Sequence, residues 1–203
     1  MYQLTFEKMC KLAKQNNVYM IIGNGTKNQF RNMKKVNSMM DDILENLPPE
    51  SCFLYFGDYP DEKNPDVGYL FKLLKEKRAD LKIFMIQISE AKSWGVPDFV
   101  DYVHWHDDFS KIYKWGGLDD KREPCSNTKK WAELNIQHPI TKVFVFGGGQ
   151  VTIDEVSLLK RYNVPYKYFS VERKYAGDGK TEIKSTDDME NKIGATYNLN
   201  FAS

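Results

Sequence analysis

The run Val143-Phe144-Val145-Phe146 is apolar at every position, and three glycines follow it without a gap. Such a strand has no face to give to water. It belongs in a sheet covered on both sides, which in practice means a parallel sheet with crossover helices. Gly147-Gly148-Gly149 stands between that strand and a helix whose apolar positions are Ile153, Val156 and Leu159. A strand that passes through glycines into a helix start suits an anion. The missing Cβ lets N–H groups approach closely, and the helix N-terminus adds partial positive charge.

The same grammar recurs upstream. Thr5 can cap a helix with Phe6, Met9, Cys10 and Ala13 on one face. Val18 to Ile22 reads as a buried strand closed by Gly23-Asn24-Gly25-Thr26. A helix carrying Phe30, Met33, Val36, Met40 and Leu44 follows, and Pro48-Pro49 ends it. Further strands are expected over Cys52 to Phe56 (ending at Gly57-Asp58), Leu81 to Ile88, Tyr102 to Trp105 and Pro165 to Val171. A helix with Val67, Leu70, Phe71 and Leu74 lies between the first two. This predicts an α/β fold with a doubly wound, mostly parallel sheet in a single domain over residues 1–171. A polar stretch at about 107–137 interrupts the rhythm as a helical insertion or a lid, and a polar tail of residues 172–203 either is disordered or wraps a partner subunit.

In such a sheet ligands bind at the carboxyl edge of the strands, where Gly23–Thr26, Gly57–Asp58 and Gly147–Thr152 would converge. Candidate ligand-binding residues are therefore Gly23, Asn24, Gly25, Thr26, Asp58, Gly147, Gly148, Gly149, Gln150 and Thr152. Asp58 would accept from ribose hydroxyls or simply serve a turn. Thr152 would cap its helix or donate to phosphate. Glu155, read as first-turn, either complements the helix dipole or acts as general base beside a ribose. Lys27 and Arg31 are phosphate neighbours or ordinary helix-start residues.

The glycine segment is neither G-x-G-x-x-G nor a G-x-x-x-x-G-K-[ST] loop. From Gly147 through Thr152 to Glu155 it resembles the PGG-x-GT-x-x-E motif of the SLOG superfamily, which includes the LOG or "lysine decarboxylase-like" phosphoribohydrolases and nucleotide-sensing domains. Gly147 stands at the proline position and Val151 at that of the last glycine, whereas Thr152 and Glu155 fit. The resemblance implies a Rossmann-like domain and a nucleotide or nucleotide-derived ligand. It also implies cleavage of an N-glycosidic bond by a nucleoside-phosphate hydrolase with Glu155 catalytic, and a homodimer. The family's second motif, with an arginine beside that glutamate, has no matching copy, and Arg122 lies among unmatched neighbours. A non-catalytic sensor or sequestering protein for a nucleotide or ADP-ribose-type signal is the alternative.

A net charge of +1 lacks the basic excess of a nucleic-acid or membrane-surface binder. Three scattered cysteines, no leader-like segment and no long apolar run point to a reduced, cytoplasmic protein. Cys10 and Cys52 read as core, and Cys125, in a polar loop, as exposed. His104 and His106 share one strand face but want a third ligand, so neither a metal nor a cofactor is expected. Trp105, Trp115 and Trp131 either stack on a base or pack the insertion down.

Overall fold

The computed structural model describes residues 1–25, 29–57, 63–107, 117–118, 122–176 and 178–183. The elements run β1 (Tyr2–Gln3), α1 (Phe6–Ala13), β2 (Asn17–Gly23), α2 (Met33–Glu45), β3 (Ser51–Tyr55), α3 (Val67–Lys77) and β4 (Lys82–Ile88). A 3-10 turn (Ser89–Trp94) then leads to β5 (Tyr102–His106), α4 (Ser126–Gln137), β6 (Lys142–Phe146), α5 (Gln150–Arg161) and β7 (Tyr166–Phe169). The strands form one sheet in the order β1-β5-β4-β3-β2-β6-β7, and every pairing is parallel. The α/β doubly wound reading is thus the observed architecture.

Crossovers of a single hand dictate where the helices go. From β2 to β5 the chain steps one way across the sheet, and α2, α3 and the segment with Phe99 and Val100 cover one face. The steps β1 to β2, β5 to β6 and β6 to β7 run the other way, and α1, α4 and α5 cover the opposite face. Strand alternation then sorts the core. The α2/α3 face receives Tyr19, Phe53, Tyr55, Phe144, Phe146 and Phe169, and the other face mostly Val18, Met20, Ile22, Leu54, Val143 and Val145.

Three expectations change. β1 is a two-residue edge strand beside β5 that carries no readable pattern. The last 12 residues of the stretch at 107–137 form α4, the regular crossover helix from β5 to β6. Its first turn buries Ser126, Asn127 and Thr128, so the apolar period that would announce it is missing. Cys125, expected to be exposed, is fully buried at the N-cap of that helix.

Just after β7, Glu172 to Lys174 stay on the domain. Arg173 is buried and bridges antiparallel to Phe30, Arg31 N–H donates to Glu172 O, and Lys174 N–H donates to Gln29 O. Residues 184–203 lie outside the described residues.

Candidate functional site

The sheet reverses direction between β2 and β6, and their carboxyl ends pair directly, Gly23 opposite Phe146. This is the topological switch point, where an open α/β sheet leaves a crevice between diverging loops. Gly57 follows β3 on the adjacent strand. The three glycine-bearing strand ends therefore do share one edge. Thr26, Lys27, Asp58, Trp115 and Gly116 lie outside the described residues.

Asn24 organises the crevice. It is fully buried, and each of its polar groups is engaged with a different segment. Its N–H donates to Phe146 O at 3.0 Å, and its carbonyl accepts from Val67 N–H at 2.8 Å. Its Oδ1 accepts from Gly148 N–H at 2.6 Å, and its Nδ2 donates to Gln29 O at 3.1 Å. Through its backbone Asn24 thereby ties β6 and the start of α3, and through its side chain the β6–α5 turn and its own loop. Gly25, next to it, contributes its carbonyl to Gln29 N–H.

The glycines serve this clasp. At Gly23, with φ of 151°, a Cβ would collide with the Phe146 carbonyl. At Gly147, with φ of 58°, it would stand 2.7 Å from Val171 O and 3.0 Å from Asn24 Oδ1. At Gly148, with φ of 123°, it would meet the Thr152 side chain. Gly147 N–H donates to Phe169 O, so the amides of Gly147 and Gly148 are both held inside the protein. The donors left facing outward sit one step further along, at the helix start. Gly149 is the N-cap of α5, and no side chain among the described residues caps that helix. The N–H groups of Gly149, Gln150 and Val151 have no partner among the described residues, and Gln150 and Val151 are exposed.

Two motif residues take places other than those expected. Thr152 is the third residue of α5 and not its cap; it is buried and its hydroxyl donates to Gly23 O at 3.2 Å. Glu155 is the sixth helical residue, half-buried in the second turn, so the first-turn dipole argument does not apply to it; the first turn holds no acid. The acid at the mouth is Asp154. Its Oδ1 accepts from Arg122 Nη1 and from Gln150 Nε2, both at 3.2 Å. Arg122 comes from the stretch before α4, and Gly117 packs against Val151 and Asp154, so that stretch borders the start of α5. On the far side of the crevice Arg31 lies 3.8 Å from Glu172, with Nε and Nη2 buried and lacking a hydrogen-bond partner among the described residues.

A second polar assembly, invisible to sequence reasoning, lies at the carboxyl ends of β3, β4 and β5. Gln87 is fully buried on β4; its Nε2 donates to Phe56 O at 2.6 Å, and its Oε1 accepts from Ile88 N–H and Asn127 Nδ2, each at 2.8 Å. Asn127 Oδ1 lies 2.8 Å from His106 Nε2, and His106 Nδ1 lies 2.9 Å from Asp107 O. Gly57 makes room, since a Cβ there would stand 2.6 Å from Gln87 Nε2. The one available cue was a glutamine inside an otherwise apolar strand.

His104 stacks on His106 with ring centroids 6.1 Å apart and contacts Leu4 O; burial lowers its pKa from the ordinary histidine value. Among the described residues no group of three His, Cys, Asp or Glu side chains could hold a metal ion, and no helix is long and apolar enough to cross a membrane. Trp131 is core, edge-on to Tyr162, and Trp105 is half-buried with Lys92 over its ring. No protein-family model, curated protein or solved structure matches this chain.

Proposed function

We propose that the protein binds a nucleotide or nucleotide-derived small molecule in the β2/β6 crevice, with its phosphate on the first N–H groups of α5. The uncapped α5 start at the switch point carries this reading. It leaves Gly149, Gln150 and Val151 N–H groups outward, places no acid in the first turn, and stands beside a β2 loop that Asn24 holds rigid. The contacts fall on Gly149 and Gln150; Gly147, Gly148, Asn24 and Thr152 shape the wall behind them. Gly25 belongs to the loop that follows β2 and would face the sugar side; Thr26 and Asp58 lie outside the described residues. The likeness to the SLOG motif supports the same ligand class.

Cleavage of the N-glycosidic bond is the elaboration of this reading, with Glu155 as the carboxylate. A sensing or sequestering role is favoured by the state of the acid nearest the mouth, since Asp154 is held by Arg122 and Gln150. A homodimer follows from the family likeness and would be read by sedimentation.

Gly149→Asp tests binding. The φ of −121° at Gly149 suits any residue, and an aspartate there caps the helix with its own carboxylate. The variant should melt higher than wild type and lose the stabilisation that nucleoside mono- and diphosphates confer on it. No stabilisation of wild type by a broad nucleotide panel overturns the proposal. Free base released by wild type but not by Glu155→Gln would establish cleavage, and stabilisation without product the sensing role.

A further inference from the structure

Beyond β7 the chain doubles back along the loop that follows β2. Arg31 N–H donates to Glu172 O, Lys174 N–H to Gln29 O, Ala176 N–H to Thr181 O and Ile183 N–H to Lys174 O. Phe30 bridges antiparallel to Arg173, and Tyr175 to Glu182. Residues 29–31, 172–176 and 181–183 thus lie side by side as an antiparallel ribbon. A Cβ on Gly147 would stand 2.7 Å from Val171 O, so the ribbon borders the β6–α5 turn at the crevice.

Alternation along the ribbon separates two pairs of side chains. Phe30 is buried edge-on to Phe146, with Arg173 buried opposite it. The next pair, Arg31 and Glu172, turns the other way, and their side chains are 28% and 50% exposed. Arg31 Nε lies 3.8 Å from Glu172 Oε2, beyond hydrogen-bond range, and its Nε and Nη2 are buried with no acceptor among the described residues. Guanidinium donors in that state carry a desolvation cost that no hydrogen bond offsets. The cations beside Arg31 are engaged. Lys35 Nζ donates to Ser170 O at 2.7 Å, and Lys174 Nζ lies 5.1 Å from the centre of the Tyr175 ring. Turning the Arg31 guanidinium toward the crevice therefore breaks no hydrogen bond among the described residues.

Asn24 sets how far it must reach. The same carboxamide holds Gln29 O on the ribbon side and Gly148 N–H on the α5 side, so one carboxamide and two hydrogen bonds separate the two walls. Arg31 follows Gln29 by two residues, and the outward N–H groups of α5 begin one residue after Gly148.

We infer, resting on the crevice proposed for the nucleotide, that Arg31 is its second anion contact and that the ligand it selects carries two adjacent anionic groups, a diphosphate. One phosphate occupies the α5 N–H groups. The other accepts from the Arg31 fork at the short range of a charge-assisted bond, which Glu172 does not reach. Glu172 attracts the guanidinium by charge alone and is the group that the second phosphate displaces. Asp154, the acid at the opposite wall, is already held by Arg122 and Gln150.

The test titrates the full chain with inorganic phosphate and inorganic pyrophosphate by calorimetry at matched ionic strength, and melts each variant without either anion. Wild type should bind pyrophosphate at least about tenfold more tightly than phosphate. Arg31→Met should level the two anions and melt no lower than wild type, since the change removes buried donors and no hydrogen bond. Glu172→Gln leaves Arg31 in place and should tighten pyrophosphate, because the competing charge is gone. A pyrophosphate preference that survives Arg31→Met, or a Glu172→Gln protein that binds pyrophosphate no tighter, overturns the second contact. An Arg31→Met protein that melts clearly lower assigns Arg31 a structural role and overturns it as well. Phosphate and pyrophosphate bound equally by wild type, and lost together in Gly149→Asp, overturn it while leaving the crevice in place. Binding of neither anion to wild type overturns both.

Discussion

The carboxyl edge of the sheet is finished in two ways. At β2 and β6 the ends are closed by glycines in left-handed or otherwise forbidden conformations, gathered around one buried asparagine. At β4 and β5 they are closed by side chains alone, through Gln87, Asn127 and His106 in series. Both devices satisfy buried polar groups, and they differ in what they leave over. The glycine device brings two loops together and leaves an uncapped helix start pointing outward. The side-chain device joins Gln87, Asn127 and His106 to one another and links four elements into one unit. An open edge beside a closed one is what a binding crevice needs, since a rigid wall preorganises donors that a ligand can reach.

The largest break in this comparison should come from Gly23→Ala. The new Cβ would meet backbone, the Phe146 carbonyl, which cannot rotate away. A loss on the order of 4 kcal/mol, read as the urea midpoint, is expected. Asn24→Ala leaves Gly148 N–H buried without its acceptor and takes one of two donors from Gln29 O, which keeps Lys174 N–H, and should cost about 2 kcal/mol.

Gln87→Ala strips Phe56 O, Ile88 N–H and Asn127 Nδ2 and should cost a similar amount at the other device. The two differ in coupling. Gln87→Ala and Asn127→Ala should be strongly non-additive, because either one breaks the same chain, whereas Asn24→Ala and Gln87→Ala should add. Additivity of the first pair would show that the chain is not one unit.

Arg122→Ala sharpens the comparison with a smaller effect. The Arg122 side chain is 68% exposed, so its loss should cost under about 1 kcal/mol of stability. It should change nucleotide-dependent stabilisation more than stability itself, because Asp154 would then face the mouth uncompensated.

The thiols give the mildest test. Burial pushes the Cys52 thiol up to about 12 and raises Cys10 as well, and Cys125 is fully buried. The native protein at pH 8 should leave all three unmodified by a thiol reagent and show three reactive groups only in denaturant. Rapid reaction of Cys125 alone would show that the α4 start opens more readily than the core around Cys10 and Cys52.

The two regions also differ in how far they could be read in advance. Gly147-Gly148-Gly149 and Gly23-Asn24-Gly25 announced themselves because few residues other than glycine tolerate those conformations, so a steric need leaves a compositional mark. The positions were legible and the roles less so. Asn24, Gly148 and Thr152 read as ligand contacts, yet Gly148 N–H donates to Asn24 Oδ1 and the Thr152 hydroxyl to Gly23 O, because the parallel register of β2 and β6 sets the two loops face to face. Gln87 left only a polar break in an apolar strand, and Asn127 and His106 left no mark of their pairing. Each residue type is common, and their meaning arises only when strands 87 and 106 and helix position 127 meet. α4 was hidden for the same reason: a polar first turn buried against polar partners erases the apolar period that would mark it.

What the amino-acid sequence determined by itself is the class of the fold and the edge where its loops gather. Strands apolar on both faces and helices apolar on one can be buried together only as a layered parallel sheet. Which polar groups remain available at that edge was decided by tertiary structure. Hydrogen bonds between segments more than a hundred residues apart, such as Asn24 to Gly148, depend on geometry that no local pattern encodes.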